Sequence, residues 1–188
     1  MRKGPRKIHS KYLLHMSHSK LDRILQALLA ILFLGFSAIL YNTIHEHTVN
    51  VGDSAPSFSV TSDSGQTISP ASFGGKVLVV NFWATWCAPC VQEIPSLNLL
   101  QTRFRDKGLV VLGISVDKDE AAYKQFVSRF RLSFQTARDP EQKINGDYGS
   151  LQFPETYIID TQGKVVNKII GEANWTDDKM VNYVQSLL

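Results

Sequence analysis

The chain has 188 residues, of which 44% are hydrophobic and 20% are charged, and its formal net charge is +3. This composition is typical of a globular domain with an additional segment, and it excludes a disordered chain. Seven of the 20 Lys and Arg residues precede residue 24, whereas acidic residues outnumber basic ones from residue 48 onward. The larger part of the chain therefore lacks the basic surface that nucleic acid binding requires, and we expect no nucleic acid partner.

Residues 1–23 are basic, and residues 24–41 form an apolar run with few polar positions. Eighteen helical residues, at about 1.5 Å each, are just long enough to cross a hydrocarbon core of about 30 Å. A buried core helix is the alternative, but such helices are rarely apolar around their whole circumference. Because the next basic residue is Lys76, the positive-inside rule predicts a cytoplasmic N-terminus and a periplasmic or otherwise extracytoplasmic domain.

A cleaved signal peptide is a second interpretation of the apolar run, because residues 35–37 place small residues two positions apart. The long region before the run and the apolar residues 39–40 after this position favour a retained transmembrane anchor. Residues 42–51 are predicted as a linker, and residues 52–188 as the folded domain.

Within that domain, β-branched runs alternate with helical patterns, which predicts an α/β sheet with helices on both faces. The predicted strands are Val77–Phe82, Leu109–Val116, Thr156–Asp160 and Lys164–Ile170, the last two forming a hairpin. The predicted helices are Cys87–Asp106, Asp119–Arg131 and Thr176–Leu188, with Gly108 ending the first and Thr176 capping the last.

The segment Trp86-Cys87-Ala88-Pro89-Cys90 is the most specific motif in the chain. Cysteines three positions apart in the first turn of a helix lie on one face and can form a disulfide. The free N–H groups of a helix N-terminus stabilise a thiolate. We therefore predict that Cys87 is the nucleophile and that Cys90, one turn deeper, is the resolving thiol.

Three other uses of a cysteine pair can be weighed against this one. A structural disulfide over so short a loop constrains the unfolded chain little. A zinc site needs further ligands, but the chain has two cysteines and no histidine after His47. Haem attachment needs a histidine after the second cysteine, where Val91 stands. We expect no metal and no cofactor.

The segment 80–90 resembles the active site of the thioredoxin superfamily and is closest to the membrane-anchored TlpA/ResA group, which includes thioredoxin-like proteins of cytochrome c maturation. Pro95 in the following helix, residues 153–160 and Gly171 match further positions of that family. The resemblance spans about residues 52–188. It implies a thioredoxin-like fold with a central mixed sheet and helices on both faces, here preceded by one transmembrane helix.

The resemblance also implies a cis peptide bond between Phe153 and Pro154 beside the cysteine pair. A proline lacks an N–H, so the backbone of the preceding residue stays free to pair with a substrate. We expect Trp86, Phe153 and Pro154 to form the substrate-binding surface.

Proton transfer cannot follow thioredoxin itself, because Asn81 stands where that protein has a buried aspartate. Glu93, three residues after Cys90, matches an acidic residue of the TlpA/ResA group. We predict that Glu93 transfers the proton of the resolving thiol. An ordinary surface glutamate is the alternative.

The resulting hypothesis is an extracytoplasmic enzyme that reduces disulfides of exported proteins, with apocytochrome c as one substrate candidate by resemblance. The resemblance implies a membrane protein as electron donor, and we expect a monomer. A redox-inert, membrane-tethered binding module with a structural disulfide is an alternative from another class, and a disulfide oxidase or isomerase is another. A peroxidase of the peroxiredoxin group fits poorly, because that chemistry uses a lone cysteine.

Overall fold

The computed structural model of the protein describes residues 9–44 and 48–188. The first eight residues and the three residues between these ranges, which carry part of the predicted basic segment and linker, lie outside the described residues. The chain divides into two compact units, Met1–Glu46 and His47–Leu188.

The first unit contains helix α1, His9–Ile44. Its segment Lys20–Tyr41 is long and apolar enough to span a membrane, and its residues are not buried. The interpretation as a buried core helix is therefore wrong. A signal sequence would show the same properties, so α1 is a candidate transmembrane span. It extends to Ile44, three residues into the predicted linker.

The second unit has a thioredoxin-like α/β fold, as the resemblance predicted. Its strands are β1 (Val60–Thr61), β2 (Thr67–Ile68), β3 (Val77–Trp83), β4 (Leu109–Ser115), β5 (Gln135–Arg138), β6 (Glu155–Ile159) and β7 (Val165–Ile170). Its helices are α2 (Ala88–Phe104), α3 (Glu120–Phe130), α4 (Lys143–Tyr148) and α5 (Asp178–Ser186).

The central sheet is mixed and has the strand order β5-β4-β3-β6-β7. Strand β3 runs parallel to β4 and antiparallel to β6, which is itself antiparallel to β7. Every residue of β3 is buried, because alternate side chains enter hydrophobic clusters on opposite faces of the sheet. An apolar run without alternation is what such a doubly covered strand requires.

The helix ends follow the sequence signals with one exception. Asp119 caps α3 by accepting the backbone N–H groups of residues 121 and 122. Gly108 adopts φ +95° after α2 and a short 3₁₀ turn, as predicted for a stop signal. The prediction that Thr176 caps the last helix is wrong. Asp177 is the cap, and its side chain accepts the N–H of Lys179 at 2.9 Å, whereas the Thr176 hydroxyl donates to Asn174.

The ordered domain also includes residues that the sequence placed in the linker. Val49 is 2% exposed and belongs to the hydrophobic cluster on the face of the sheet that also contains Val80 and Tyr157. Its N–H donates to the carbonyl of Tyr148 at 3.1 Å, and the N–H of Gly52 donates to Val165 at 2.8 Å. Hydrogen bonding of the entering backbone thus begins before residue 52.

Candidate active site

The two cysteines lie where the central strand passes into helix α2. Strand β3 ends at Trp83, and residues 84–87 form a turn in which the N–H of Cys87 donates to the carbonyl of Ala84 at 3.2 Å. Cys87 is the N-cap of α2, and its Sγ atom accepts the N–H of Cys90 at 3.3 Å. The two cysteines form a disulfide.

The two sulfur-bearing residues differ in exposure. Cys87 is 6% exposed and Cys90 is 0% exposed. In the disulfide form, Cys87 therefore offers only a narrow accessible edge, and Cys90 offers none. A partner can reach the pair only through Cys87, which agrees with its predicted role as nucleophile. Residues 88–89 between them are Ala and Pro, and neither carries a charge.

Aromatic side chains flank the disulfide. Trp86 is 67% exposed, and its ring meets that of Phe153 edge to face with centroids 6.1 Å apart. Phe153 also packs against the cluster that contains both cysteines. The prediction of a cis Phe153–Pro154 bond is confirmed. The Pro154 carbonyl accepts the N–H of Gly171 at 2.8 Å, so the loop before β6 is fixed by the end of β7.

Glu155, directly after the cis-proline, lies in a buried ion pair. Its Oε1 atom is 2.9 Å from Nζ of Lys168 and accepts the hydroxyl of Tyr157 at 2.9 Å. Lys168 also donates to the carbonyl of Val49 at 3.2 Å. The loop that carries the predicted substrate-binding residues is thus tied to the segment by which the chain enters the domain.

Glu93 is buried, with 2% exposure, so its interpretation as a surface glutamate is wrong. Three N–H groups point to its carboxylate. Asn81 Nδ2 donates to Oε1 at 2.7 Å, while the backbone N–H of Ala173 and the indole N–H of Trp175 donate to Oε2 at 3.1 and 3.4 Å. Asn81 also donates to the hydroxyl of Thr156 at 2.9 Å, which links the carboxylate to β6.

This environment raises the pKa of Glu93 from 4.5 to about 7. Burial is the main cause, because it disfavours the charged form. The hydrogen bonds from Ala173, Asn81 and Trp175 lower the pKa and offset part of the effect, while the charge of Glu172 adds to the increase. A carboxyl group with a pKa near neutrality can both release and accept a proton at working pH.

Trp175 and Ala173 were not predicted as site residues. They lie 82 and 80 residues after Glu93, and no spacing in the sequence connects them with it. The remaining predicted residues lie in two segments that meet at the disulfide: the turn and first turn of α2, with Trp86, Cys87 and Cys90, and the loop before β6, with Phe153 and Pro154. Among the residues that the structure describes, there is no group of His, Cys, Asp and Glu that could hold a metal ion.

A thioredoxin-like sheet with a Cys-X-X-Cys disulfide between its central strand and the following helix defines a thiol-disulfide oxidoreductase. Comparisons with known proteins agree. The AhpC/TSA family matches residues 51–168, and the chain belongs to this family.

Individual relatives and solved structures show which members of this family the chain is similar to. It is 34% identical to the thiol-disulfide oxidoreductase ResA of Bacillus thuringiensis over 172 residues, which cover 89% of this chain and 98% of that protein. It is 35% identical to the thioredoxin-like protein YneN of Bacillus subtilis, over 80% of this chain and 91% of that protein. A thiol:disulfide interchange protein of the thioredoxin family from Chlorobium tepidum matches with a TM-score of 0.63 and 29% identity, over 72% of this chain and 97% of that structure. The predicted resemblance to ResA-like proteins is confirmed.

Proposed function

We propose that the protein works outside the cytoplasm as a membrane-tethered reductase of disulfides in exported proteins. The observation that carries the reducing direction is the buried carboxyl group of Glu93, one helical turn beyond the cysteine pair. Chemically, the Cys87 thiolate attacks a substrate disulfide and forms a mixed disulfide, releasing one substrate thiol. The Cys90 thiolate then attacks Cys87, which yields the protein disulfide and the second substrate thiol.

The direction follows from electrostatics. Strong oxidants of this type have a stabilised reduced form, but Ala88 and Pro89 supply no charge for that purpose. When Glu93 is ionised, its negative charge disfavours a thiolate nearby. When Glu93 is ionised it can also take up the proton that Cys90 must lose before it resolves the mixed disulfide. A less stabilised thiolate destabilises the reduced form, and the pair becomes more reducing.

The proposed location is supported by the distribution of charge and apolar residues. Seven Lys and Arg residues precede the apolar run of residues 24–41, and the next Lys or Arg is Lys76. This asymmetry favours a cytoplasmic N-terminus and a domain on the opposite side of the membrane. Because no cytoplasmic reductant reaches that side directly, the proposal includes a membrane protein that delivers electrons to Cys87 and Cys90.

The proposed substrates are proteins rather than small molecules. Trp86 and Phe153 present aromatic surface beside the only accessible edge of the disulfide, and aromatic side chains are enriched at protein interfaces. Apocytochrome c, whose thiols must be reduced before haem attachment, is one candidate. The relatives' names state thiol-disulfide exchange and support no particular substrate.

A redox titration tests the direction. We expect the full-length protein in detergent to have a potential near that of thioredoxin, about −270 mV, rather than near that of DsbA, about −120 mV. A potential above about −180 mV, the value for protein disulfide isomerase, would refute the reductase proposal.

An insulin-reduction assay with dithiothreitol separates the enzyme from a redox-inert binding module. We expect turnover by the wild type and none by Cys87→Ser. Equal activity of the two proteins would show that the disulfide has only a structural role. The substrate can then be identified by trapping, since Cys90→Ser cannot resolve mixed disulfides and should retain its partners covalently.

A further inference from the structure

A second buried carboxylate lies on the other side of the active-site turn. Asp117 follows strand β4 and is 2% exposed. Its Oδ2 atom accepts the backbone N–H of Thr85 at 2.9 Å and the hydroxyl of Ser115 at 2.7 Å. Its Oδ1 atom accepts the hydroxyl of Thr85 at 2.7 Å. We refer to Thr85, Ser115 and Asp117 as the Asp117 cluster.

The charge of Asp117 is balanced by hydrogen bonds alone. None of the ion pairs in the described part of the chain includes it. Burial of a carboxylate is costly unless it is paired or hydrogen-bonded, and a neutral side chain would fill the same space at lower cost. What a carboxylate adds is two oxygen atoms that accept both donors of Thr85 at once.

Thr85 is a central residue of the turn that delivers Cys87 to the start of α2. The turn closes with the N–H of Cys87 on the carbonyl of Ala84, and Trp86 within it is 67% exposed. Strand pairing brings Asp117 to this turn. Trp83 lies opposite Ser115, and the carbonyl of Trp83 accepts the N–H of Val116 at 3.0 Å. The Asp117 cluster is thus a buried anchor for the turn that carries the exposed Trp86.

We propose that Asp117 is a positioning residue for the reaction of Cys87. By holding both the N–H and the hydroxyl of Thr85, it fixes the turn so that Cys87 occupies the N-cap and its sulfur faces the N–H of Cys90. The free N–H groups at the start of α2, including that of Cys90, stabilise the Cys87 thiolate only in that geometry. The inference depends on Cys87 as nucleophile, but not on the reducing direction or on the location of the domain.

The test is the alkylation rate of Cys87 by iodoacetamide as a function of pH, in full-length protein that carries Cys90→Ser and so has one thiol. Thr85→Val removes one hydrogen bond to Asp117 at nearly constant shape and charge. We expect it to raise the midpoint of the pH profile and to slow alkylation roughly tenfold at neutral pH, since small displacements of a reacting group are costly. Thr85→Ser keeps the hydroxyl and should react like the parent.

Asp117→Asn should slow alkylation as well, and the double variant with Thr85→Val should be no slower than the slower single variant, because both changes release the same contact. Asp139→Asn is the matched control. Asp139 is also a buried carboxylate, and it accepts three backbone N–H groups from the first turn of α4. Its replacement should lower the melting temperature and leave alkylation unchanged.

Three outcomes would overturn the proposal. They are unchanged pH profiles in both single variants, fully additive effects in the double variant, and faster alkylation of Asp117→Asn with no change in Thr85→Val. The last would mean that only the charge of Asp117 acts. Failure of the nucleophile assignment is distinguishable, because reduced wild-type protein would then be alkylated first at Cys90.

Discussion

Replacement of Glu93 by Gln should change the pH dependence of stability in a direction set by burial. At pH values well below 4.5, Glu93 is protonated in both the folded and unfolded protein and contributes no pH dependence. Between pH 4.5 and 7 the unfolded chain loses this proton, while the folded protein keeps it. Stability therefore falls as the pH rises through this window, and the penalty is complete above pH 7.

The magnitude follows from the shift from 4.5 to about 7, because each pKa unit corresponds to about 1.4 kcal/mol, which gives a penalty of about 3 kcal/mol. Glu93→Gln lacks this titration. The side-chain amide of Gln carries an NH₂ group, which would face the N–H donor of Asn81 or those of Ala173 and Trp175 and could not accept from them. The cost of this lost hydrogen bond does not depend on pH. The difference in unfolding free energy between the two proteins should thus move by about 3 kcal/mol in favour of the variant between pH 4 and pH 8.

Urea denaturation of the oxidised full-length protein in detergent measures this difference. Fluorescence of the buried Trp83 and Trp175 reports on the domain. Glu141→Gln, at an exposed position, is the control for loss of a surface charge and should follow the wild type at both pH values. Parallel stability curves for the wild type and Glu93→Gln would refute the assignment of a near-neutral pKa to Glu93.

Further predictions concern the cysteines, the carboxylate and the membrane segment. In the reduced protein, Cys87 should be alkylated faster than Cys90, as peptide mass spectrometry can show, because Cys90 is fully buried; equal rates would contradict the assigned roles. Asn81→Asp places a second carboxylate where an amide now lies 2.7 Å from Glu93, so the pH profile of insulin reduction should shift upward, and an unchanged profile would exclude coupling between the two groups. A phosphatase that requires export, fused after Leu188, should be active and should sediment with membranes after a high-salt wash. A soluble, shortened product would identify the apolar segment as a cleaved signal.

The elements that could be predicted from the sequence are those with strong local signals. The apolar run of β3 and the residues Asp119 and Gly108 at helix ends set their boundaries by burial and backbone chemistry alone. The sequence does not distinguish Thr176 from Asp177 as the N-cap of the last helix, because both residue types are good caps. In the structure the Thr176 hydroxyl is hydrogen-bonded to Asn174, and Asp177 is the cap.

Short polar elements were missed for a related reason. Strand β5, with the sequence QTAR, has no clear alternation, and it forms because β4 offers it a parallel edge. Helix α4 contains Gly146, which disfavours a helix, and its burial against the sheet stabilises it. The hairpin β1–β2 has only two residues in each strand.

The residues of the candidate site also fall into those that a local sequence signal predicts and those that only the fold brings together. Cys87, Cys90 and Glu93 occur within seven residues and match a motif, whereas Trp175 and Asp117 join the site only through the fold. Glu93 was assigned by resemblance, since its sequence position gives no sign of burial. Asn81, one of its three N–H donors, is 12 residues away, but Ala173 and Trp175 lie 80 and 82 residues away, and only the tertiary structure brings them to Glu93.

The same separation has a consequence for the newly made chain. The partners of Glu93 at Ala173 and Trp175 are synthesised 80 and 82 residues after it, when little more than the last helix remains to be made. Because the chain is made from its N-terminus to its C-terminus, both thiols are exposed long before the Glu93 carboxyl group has the surroundings that raise its pKa toward neutrality. The cysteine pair can be oxidised early, but proton transfer between Cys90 and Glu93 begins only when the C-terminal segment has packed against Glu93.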